Sequence, residues 1–376
     1  MKILIATHEY PPYPGGVGRY CAEVRTAAQT MGHQVDVLAP SFSAPTVDSQ
    51  GVFRFPGGVF SSKHLPRLAW TFRQHLAAHR YDVVHIADWP LLLALPWVGV
   101  PKRTALVMTF HGTDAIVLGR SRIARWAQAG LGLRMLRRIC TNSAFTLGLC
   151  ETELVLKPSL ERIVTYLGVS PFWFQPPEAA ELESVRNACQ AKPDDKIVLT
   201  VARLDQRKGH LRALRAIAAL PSPIRERTCY LAVGRAVDAA YAAHLKSEAL
   251  RLGVRATFAE GFGDSMVRAA YGASDAFLLA AEPSPDRVEG FGLVFLEAAA
   301  QGLPSVSNDT HAIGEVVANG RTGVLADPND ANGLTEGLMT LLDSSRREAL
   351  AAACVDHAKA FTWERCTRAT YQNLVD

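Results

Sequence analysis

The strongest constraint on the fold of this chain is an arrangement met twice along it: a short apolar run, a turn of glycine or polar residues, then a stretch with helical spacing. Lys2–Thr7 is the first run. The loop from Glu9 to Gly18 follows, holding Pro11, Pro12, Pro14, Gly15 and Gly16. Arg19–Met31 then places Tyr20, Val24 and Ala27 or Ala28 on one helical face, Gly32 ends it, and Gln34–Ala39 is the next run. Strand, glycine-rich turn, helix and strand make one βαβ unit. Runs at Val83–Ile86, Thr104–Phe110, Ile139–Ser143 and Ile163–Tyr166 extend the series, with a helix over Phe72–His79. Short apolar runs without alternation are what strands buried on both faces of a parallel sheet look like.

Residues 171–195, with Pro171, Pro176 and Pro177, read as a linker with some helix. The same order then restarts. Strands are expected at Lys196–Val201, Thr228–Val233, Ala256–Phe258, Ala276–Leu279, Pro304–Ser307 and Gly323–Leu325. Helices are expected at Leu211–Leu220, Val237–Leu252, Val267–Ser274 and Ala331–Leu342. The reading is α/β, with two Rossmann-like, doubly wound parallel-sheet domains, and 376 residues suffice for two cores. In such sheets ligands bind at the carboxyl ends of the strands, and two such domains are expected to face each other across a cleft.

Charge separates the two halves. Residues 1–175 hold 18 Lys and Arg against 10 Asp and Glu, and residues 176–376 hold 22 against 26. The basic half favours an anionic surface or acceptor, a charge that lipid headgroups and nucleic acid both match. The basic excess concentrates in Gly119–Ile139, where Arg120, Arg122, Arg125, Arg134, Arg137 and Arg138 alternate with Ile123, Trp126, Leu131, Leu133, Met135 and Leu136. One or two basic amphipathic helices there fit an anionic membrane surface, and equally a helix packing its apolar side on the domain core. No run of 18 apolar residues spans a membrane, and Met1–Ala6 is too short for a signal peptide. Seven cysteines without CxxC spacing read as free thiols of a reducing cytoplasm. A cytoplasmic protein, peripheral on the inner face of the plasma membrane if the basic stretch meets lipid, is the expectation.

Three clusters carry chemistry. Glu289-Gly290-Phe291-Gly292-Leu293 leads into an apolar stretch containing Glu297. The spacing predicts a loop that becomes a helix, with the amides of Phe291, Gly292 and Leu293 at its start and Glu297 about two turns inside. Amides at a helix start suit an anion, and the two carboxylates suit hydroxyls. Arg203 and Lys208, with Gly209 behind them, follow a strand directly and can neutralise a diphosphate. Gly15 and Gly16 follow the first strand, where a backbone can approach a phosphate or sugar closely. Gly16-x-Gly18 lacks the third glycine of a dinucleotide fingerprint, and no acidic residue closes the second strand, so a nicotinamide cofactor is not expected. His111, in His-Gly-Thr-Asp, ends a strand and reads as a donor to a sugar hydroxyl or leaving phosphate, or as a structural histidine. Asp88, Asp114 and Asn142 fall at other strand ends. The histidines form no metal cluster and there is no Asp-x-Asp, so cations are expected to do a metal's work.

The chain resembles, over essentially its whole length, the retaining glycosyltransferases of family 4, which have the two-domain GT-B architecture. Gly15-Gly16 looks like the family's glycine loop, Arg203 and Lys208 like its diphosphate pair, Glu289 and Glu297 like its Glu-x7-Glu motif, and His111 like its active-site histidine. The resemblance implies a UDP- or GDP-sugar donor, retention, no metal, no cofactor and no nucleic acid. It implies that Arg203 and Lys208 hold the diphosphate, Glu297 accepts from ribose, and Glu289 accepts from sugar hydroxyls. The amides near Phe291, Gly292 and Leu293 would meet sugar or phosphate, the base would lie near Gly261-Phe262, Gly16 near the diphosphate and His111 near the sugar. It implies an acceptor-binding domain over 1–172 plus 360–376, with the last helix crossing back, and a nucleotide-sugar domain over 173–359. One departure is His311, where the family has a small residue.

Transfer of a hexose to a glycan or lipid-linked acceptor in surface polysaccharide or glycolipid synthesis is the leading expectation. A sugar-nucleotide epimerase of the same architecture is the alternative, and a non-catalytic nucleotide-sugar binder is a third reading.

Overall fold

The computed structural model describes residues 1–13, 15–42, 50–58, 60–121, 129–282, 284 and 286–374. The chain forms two compact units. Unit one comprises Met1–Gly168, Asp286–Phe291 and Thr362–Asp376, and unit two comprises Val169–Pro285 and Gly292–Phe361. The chain thus leaves unit two for six residues, which carry Glu289, and then returns. Nothing in the sequence pattern signalled that excursion.

Unit one is built on seven parallel strands in the order β3-β2-β1-β4-β5-β6-β7. They are β1 (Lys2–Ala6), β2 (Gln34–Pro40), β3 (Val52–Phe55), β4 (Val83–Ile86), β5 (Ala105–Phe110), β6 (Arg138–Thr141) and β7 (Glu161–Val164). Ile3, Leu4, Ile5 and Ala6 are fully buried, as expected of a strand between two helical layers. Register runs Ile3↔Val35 on one side and Ile3↔Val83 on the other, so β1 is central. Unit two repeats the plan with six parallel strands in the order β10-β9-β8-β11-β12-β13. They are β8 (Lys196–Val201), β9 (Thr228–Val233), β10 (Arg255–Ala259), β11 (Ala276–Leu279), β12 (Ser305–Asn308) and β13 (Gly323–Ala326). In each sheet the winding direction reverses beside the first strand, between β1 and β4 and between β8 and β11. Those are the two points where side chains leaving the strands have room around them.

Several elements differ from expectation, three of them for plain local reasons. The first helix begins at Gly16 rather than Arg19, so the glycines form its N-terminus. Helix Leu65–Ala78 starts seven residues before Phe72, because Pro66 sits in its first turn, where a missing N–H costs nothing. Helix Ser344–Lys359 has no clear apolar stripe in the sequence. It is started instead by Asp343, whose carboxylate accepts from the amides of Ser345 and Arg346.

The C-terminal helix, Trp363–Tyr371, packs on helix Gly16–Thr30 within unit one. A buried polar chain fixes it: the Tyr371 hydroxyl meets His85 Nδ1 at 2.7 Å, His85 Nε2 meets Thr109 Oγ1 at 2.8 Å, and Thr109 meets the Tyr20 hydroxyl at 2.9 Å. Arg138, 3% exposed, donates to the carbonyls of Thr370 and Gln372 at 2.9 Å each and pairs with Glu161. Arg137 donates to the carbonyls of Leu374 and Asn373. These two arginines were expected on a basic helix. They stand instead at the start of β6 and hold the chain's last helix. Of the same stretch, Arg120 pairs with Glu153, and Arg122, Ile123, Arg125 and Trp126 lie outside the described residues. All seven cysteines are free and buried.

Candidate active site

In unit two the candidate residues emerge around the reversal between β8 and β11. Arg203 follows β8 directly. Asp205 turns the loop, its carboxylate accepting from the Arg207 amide at 3.1 Å and lying 3.9 Å from the Arg203 guanidinium. Gln206–Lys208 forms one 3-10 turn, and Gly209 closes it at φ +71°, in the left-handed region that favours glycine. A side chain at Gly209 would overlap the Ala280 carbonyl, at the exit of β11. The Glu282 amide then donates to the Arg207 carbonyl at 2.9 Å. The two strand exits are therefore pressed together, with Arg203 and Lys208 on the loop they define.

His210 anchors this loop from below. It is fully buried, its Nε2 donates to the Arg203 carbonyl at 2.9 Å and its Nδ1 meets the Tyr230 hydroxyl at 2.9 Å. Burial pushes its pKa down to about 4, so the ring stays neutral beside the Lys208 charge. The histidine directly after Gly209 was visible in the sequence, but only the fold shows what it holds.

Glu297 is the fifth residue of helix Leu293–Ala300, so it lies just over one turn inside, not two. It is 5% exposed, and its Oε2 accepts from the Tyr271 hydroxyl at 3.0 Å. Tyr271, from helix Asp264–Ala273, is a partner that sequence reasoning missed. Gly292 precedes the helix at φ +90° and Leu293 is its first residue. Gly261, at φ +80°, and Phe262 leave the carboxyl end of β10, at the far side of the same sheet edge. His311, between β12 and β13, holds φ +55° without being glycine.

In unit one, His111 leaves β5. Its Nε2 lies 3.0 Å from the Ala87 carbonyl, which can only accept, so Nε2 carries the proton and Nδ1 is an acceptor. Burial lowers its pKa, opposed by the neighbouring Asp114 carboxylate. The sequence reading left His111 as a donor to sugar or phosphate or as a structural histidine, and its Nε2 proton is taken by the Ala87 carbonyl. The neutral ring instead offers a lone pair. Its backbone amide is held by Asp114, which also accepts from Gly112 and Ala115. The six-residue segment with Glu289 packs against this loop. The Ser143 hydroxyl donates to the Gly290 carbonyl at 2.8 Å, the Val288 amide donates to Thr113 at 3.2 Å, and a side chain at Gly290 would overlap the His111 carbonyl. Gly15 is at the first helix's N-cap, where a Cβ would overlap the Glu9 carboxylate, while the space at Gly16 is open.

Between β1 and β4 stands Asp88. It is 7% exposed, and its Oδ2 accepts from the Thr7 hydroxyl at 3.1 Å and from the His8 amide. Its Oδ1 is buried without a partner, as is His8 Nδ1. Burial pushes the Asp88 pKa up to about 7, with the nearby Glu9 adding to it, so the acid holds its proton to near neutrality. The sequence reading placed Asp88 at a strand end but gave it no role. Its neighbours form an aromatic group, with the His8 ring stacked on Phe55 at 5.7 Å and Phe60 edge-on to Trp89 at 5.0 Å.

Two family models match the chain. Glycosyl transferases group 1 covers residues 183–360, and Glycosyltransferase Family 4 covers residues 14–163. The chain belongs to the group 1 glycosyltransferases. Among curated relatives of this glycosyltransferase is the glycogen synthase of Mycobacterium tuberculosis, 29% identical over 99% of this chain and 94% of that one. Another is the GDP-mannose-dependent alpha-(1-6)-phosphatidylinositol monomannoside mannosyltransferase of Mycolicibacterium smegmatis, 26% identical over 97% and 96%. Among solved structures, HepE of Anabaena in complex with UDP-glucose matches with a TM-score of 0.78 at 20% identity, over 98% and 97% of the two chains. The architecture of this glycosyltransferase is GT-B, two parallel-sheet α/β domains, and it is an enzyme.

Proposed function

We propose that the protein transfers a hexose from a UDP- or GDP-sugar to a glycan or lipid-linked acceptor in surface polysaccharide or glycolipid synthesis, with retention and without a metal. The observation that carries this is the loop of unit two that presents Arg203 and Lys208 beside the β8–β11 reversal, anchored by His210 and Gly209. Two cations there neutralise a diphosphate leaving group as charge develops on it. Glu297, fixed by Tyr271, accepts from ribose hydroxyls, and the base lies near Gly261 and Phe262. Glu289 and the amides of Phe291, Gly292 and Leu293 meet the sugar or phosphate. Gly15 and Gly16 lie near the diphosphate, and His111 accepts from a sugar hydroxyl through Nδ1. The bond from the anomeric carbon to the diphosphate oxygen breaks, and one to an acceptor oxygen forms. The relatives that use GDP-mannose and bind UDP-glucose support a donor of this class. Work on the cytoplasmic face of a membrane belongs to the same reading, through the basic excess of residues 1–175.

The test is product analysis with UDP- and GDP-sugars and a panel of glycan and lipid acceptors. A new glycosidic product is expected, lost in Lys208→Ala and Glu289→Ala. Unchanged turnover in both variants rejects the site. An altered sugar without transfer rejects the reaction in favour of epimerisation.

A further inference from the structure

Unit two holds a cavity of about 610 Å³ at the amino ends of its strands, opposite the Arg203–Lys208 loop. Lys196, which starts β8, and Asp275, which precedes β11, both line it. The six residues of β8 separate cavity and loop by roughly 20 Å. Charge on the cavity wall is not balanced. Asp275 is shared by two cations, Lys196 at 3.2 Å and Arg347, and Lys196 also donates to the Ser344 hydroxyl at 3.1 Å. Arg186 donates to the carbonyls of Lys192, Pro193 and Asp195, which leave its charge uncompensated. The Asp195 carboxylate pairs with Arg255 at 2.7 Å instead. The remaining acids of the wall, Asp194 and Glu348, are exposed, and Asp194 faces Arg227 at 3.6 Å.

Three half-buried cations, Arg186, Lys196 and Arg347, therefore stand around one carboxylate. That excess suits a dianion. A phosphate monoester carries nearly two negative charges at neutral pH and accepts through three oxygens. The cavity is large enough for a sugar attached to it, and the Ser344 hydroxyl and the exposed carboxylates suit sugar hydroxyls. The wall also reaches both carriers of the Tyr271–Glu297 hydrogen bond. Helix Ala179–Ala188, with Arg186, packs on helix Asp264–Ala273, with Tyr271. Helix Ser344–Lys359, with Arg347, packs on helix Leu293–Ala300, with Glu297. Gly272 and Gln301, at the ends of the two helices that carry Tyr271 and Glu297, line the cavity. A phosphate held between Arg186 and Arg347 ties together the same two helix pairs that the 3.0 Å hydrogen bond joins.

We propose that this cavity binds a sugar phosphate monoester as an allosteric effector that tightens donor binding at the opposite ends of the strands. Arg186 and Arg347 hold the phosphate from the two helix pairs, with Lys196 between them. The bound effector fixes the Tyr271 helix against the Glu297 helix, so Glu297 is already placed when the donor arrives. The coupling is reciprocal, and bound donor tightens the effector by the same factor. Effector binding needs unit two alone, while its effect on the donor rests on the transfer reading above.

The experiment is calorimetric titration of the full chain with inorganic phosphate, glucose 6-phosphate and mannose 6-phosphate, with no nucleotide sugar present. One hexose phosphate is expected to bind the parent and Lys208→Ala alike, and more tightly than inorganic phosphate. Arg186→Gln/Arg347→Gln should bind it at least about tenfold more weakly, since each charge-assisted contact is worth about tenfold or more. The single variants give the same reading if the double variant melts below the parent. In transfer assays the hexose phosphate should lower the parent's donor KM about fivefold or more, the lower end of usual coupling. Tyr271→Phe should bind the effector and lose that shift. No binding by the parent, binding lost in Lys208→Ala, equal affinity for inorganic phosphate, or binding unchanged in the arginine variants each overturns the proposal. A donor KM unchanged with the effector bound overturns the allosteric role. Absence of transfer from every donor rejects the transfer reading instead, and the binding result stands either way.

Discussion

Asp88→Asn separates a proton-holding carboxyl from a merely polar one. The folded chain keeps the Asp88 proton to about pH 7, against an ordinary value of 3.8. That difference corresponds to roughly 4 kcal/mol of preference for the neutral acid in the folded state, an upper figure because buried sites relax. The sign follows from proton counting. Between about pH 4 and 7 the folded chain holds a proton that the unfolded chain has lost. The contribution is therefore complete below the unfolded value and lost as pH rises through the folded one. Asparagine keeps an oxygen for the Thr7 hydroxyl and the His8 amide, and it never ionises. Urea unfolding of parent and variant across that window gives the difference in stability at each pH. The variant should gain on the parent as pH rises, by a few kcal/mol in total. Buried neutral histidines such as His85 and His8 tilt both curves alike and cancel in the difference. A difference that stays flat from about pH 5 to 7.5 would refute the reasoning, because Asp88 would then ionise in place without cost.

Three further outcomes are expected. Tyr271→Phe removes the hydroxyl on Glu297 Oε2 and should weaken donor binding by about 1–2 kcal/mol, read as a raised donor KM with kcat largely kept. Gly209→Ala forces a side chain onto the Ala280 carbonyl at a positive φ, and should cost about 2 kcal/mol or more in a thermal melt while abolishing donor binding. Arg138→Met leaves three carbonyls of the C-terminal segment without their donor, while Glu161 keeps Arg137 at 3.6 Å. It should destabilise the protein by roughly 2–4 kcal/mol, and hydrogen exchange should localise the loss to Trp363–Tyr371.

Much of the architecture was legible because parallel strands buried on both faces must be apolar throughout, and Lys196–Val201, Thr228–Val233 and Ala276–Leu279 begin and end where the pattern put them. Strand β3 was not legible: Val52–Phe55 is an edge strand whose first three residues are only half-buried, so four residues between Gly51 and Pro56 carried too little signal. The strand-end residues were legible as unusual polar residues after apolar runs. What they touch was not. His111 became an acceptor only through the Ala87 carbonyl, 24 residues away in the chain. Glu289 and Glu297 look like one motif in sequence, yet the segment with Glu289 packs with unit one and Glu297 with unit two. Arg138 read as surface charge because a buried arginine is rare, and Arg137, which is exposed, read the same way although it too donates to the C-terminal segment. Only the returning C-terminal carbonyls account for them.

The central claim is that the Arg203–Lys208 loop of unit two holds a nucleotide-diphosphate sugar. Thermal melting of the parent and of Lys208→Ala against UDP-, GDP- and ADP-sugars tests it most directly, since a ligand bound to the folded state raises stability by RT ln(1 + [L]/Kd). One UDP- or GDP-sugar should raise the parent's melting temperature while leaving Lys208→Ala unmoved. No shift with any of the sugars, or an equal shift in the variant, would contradict it.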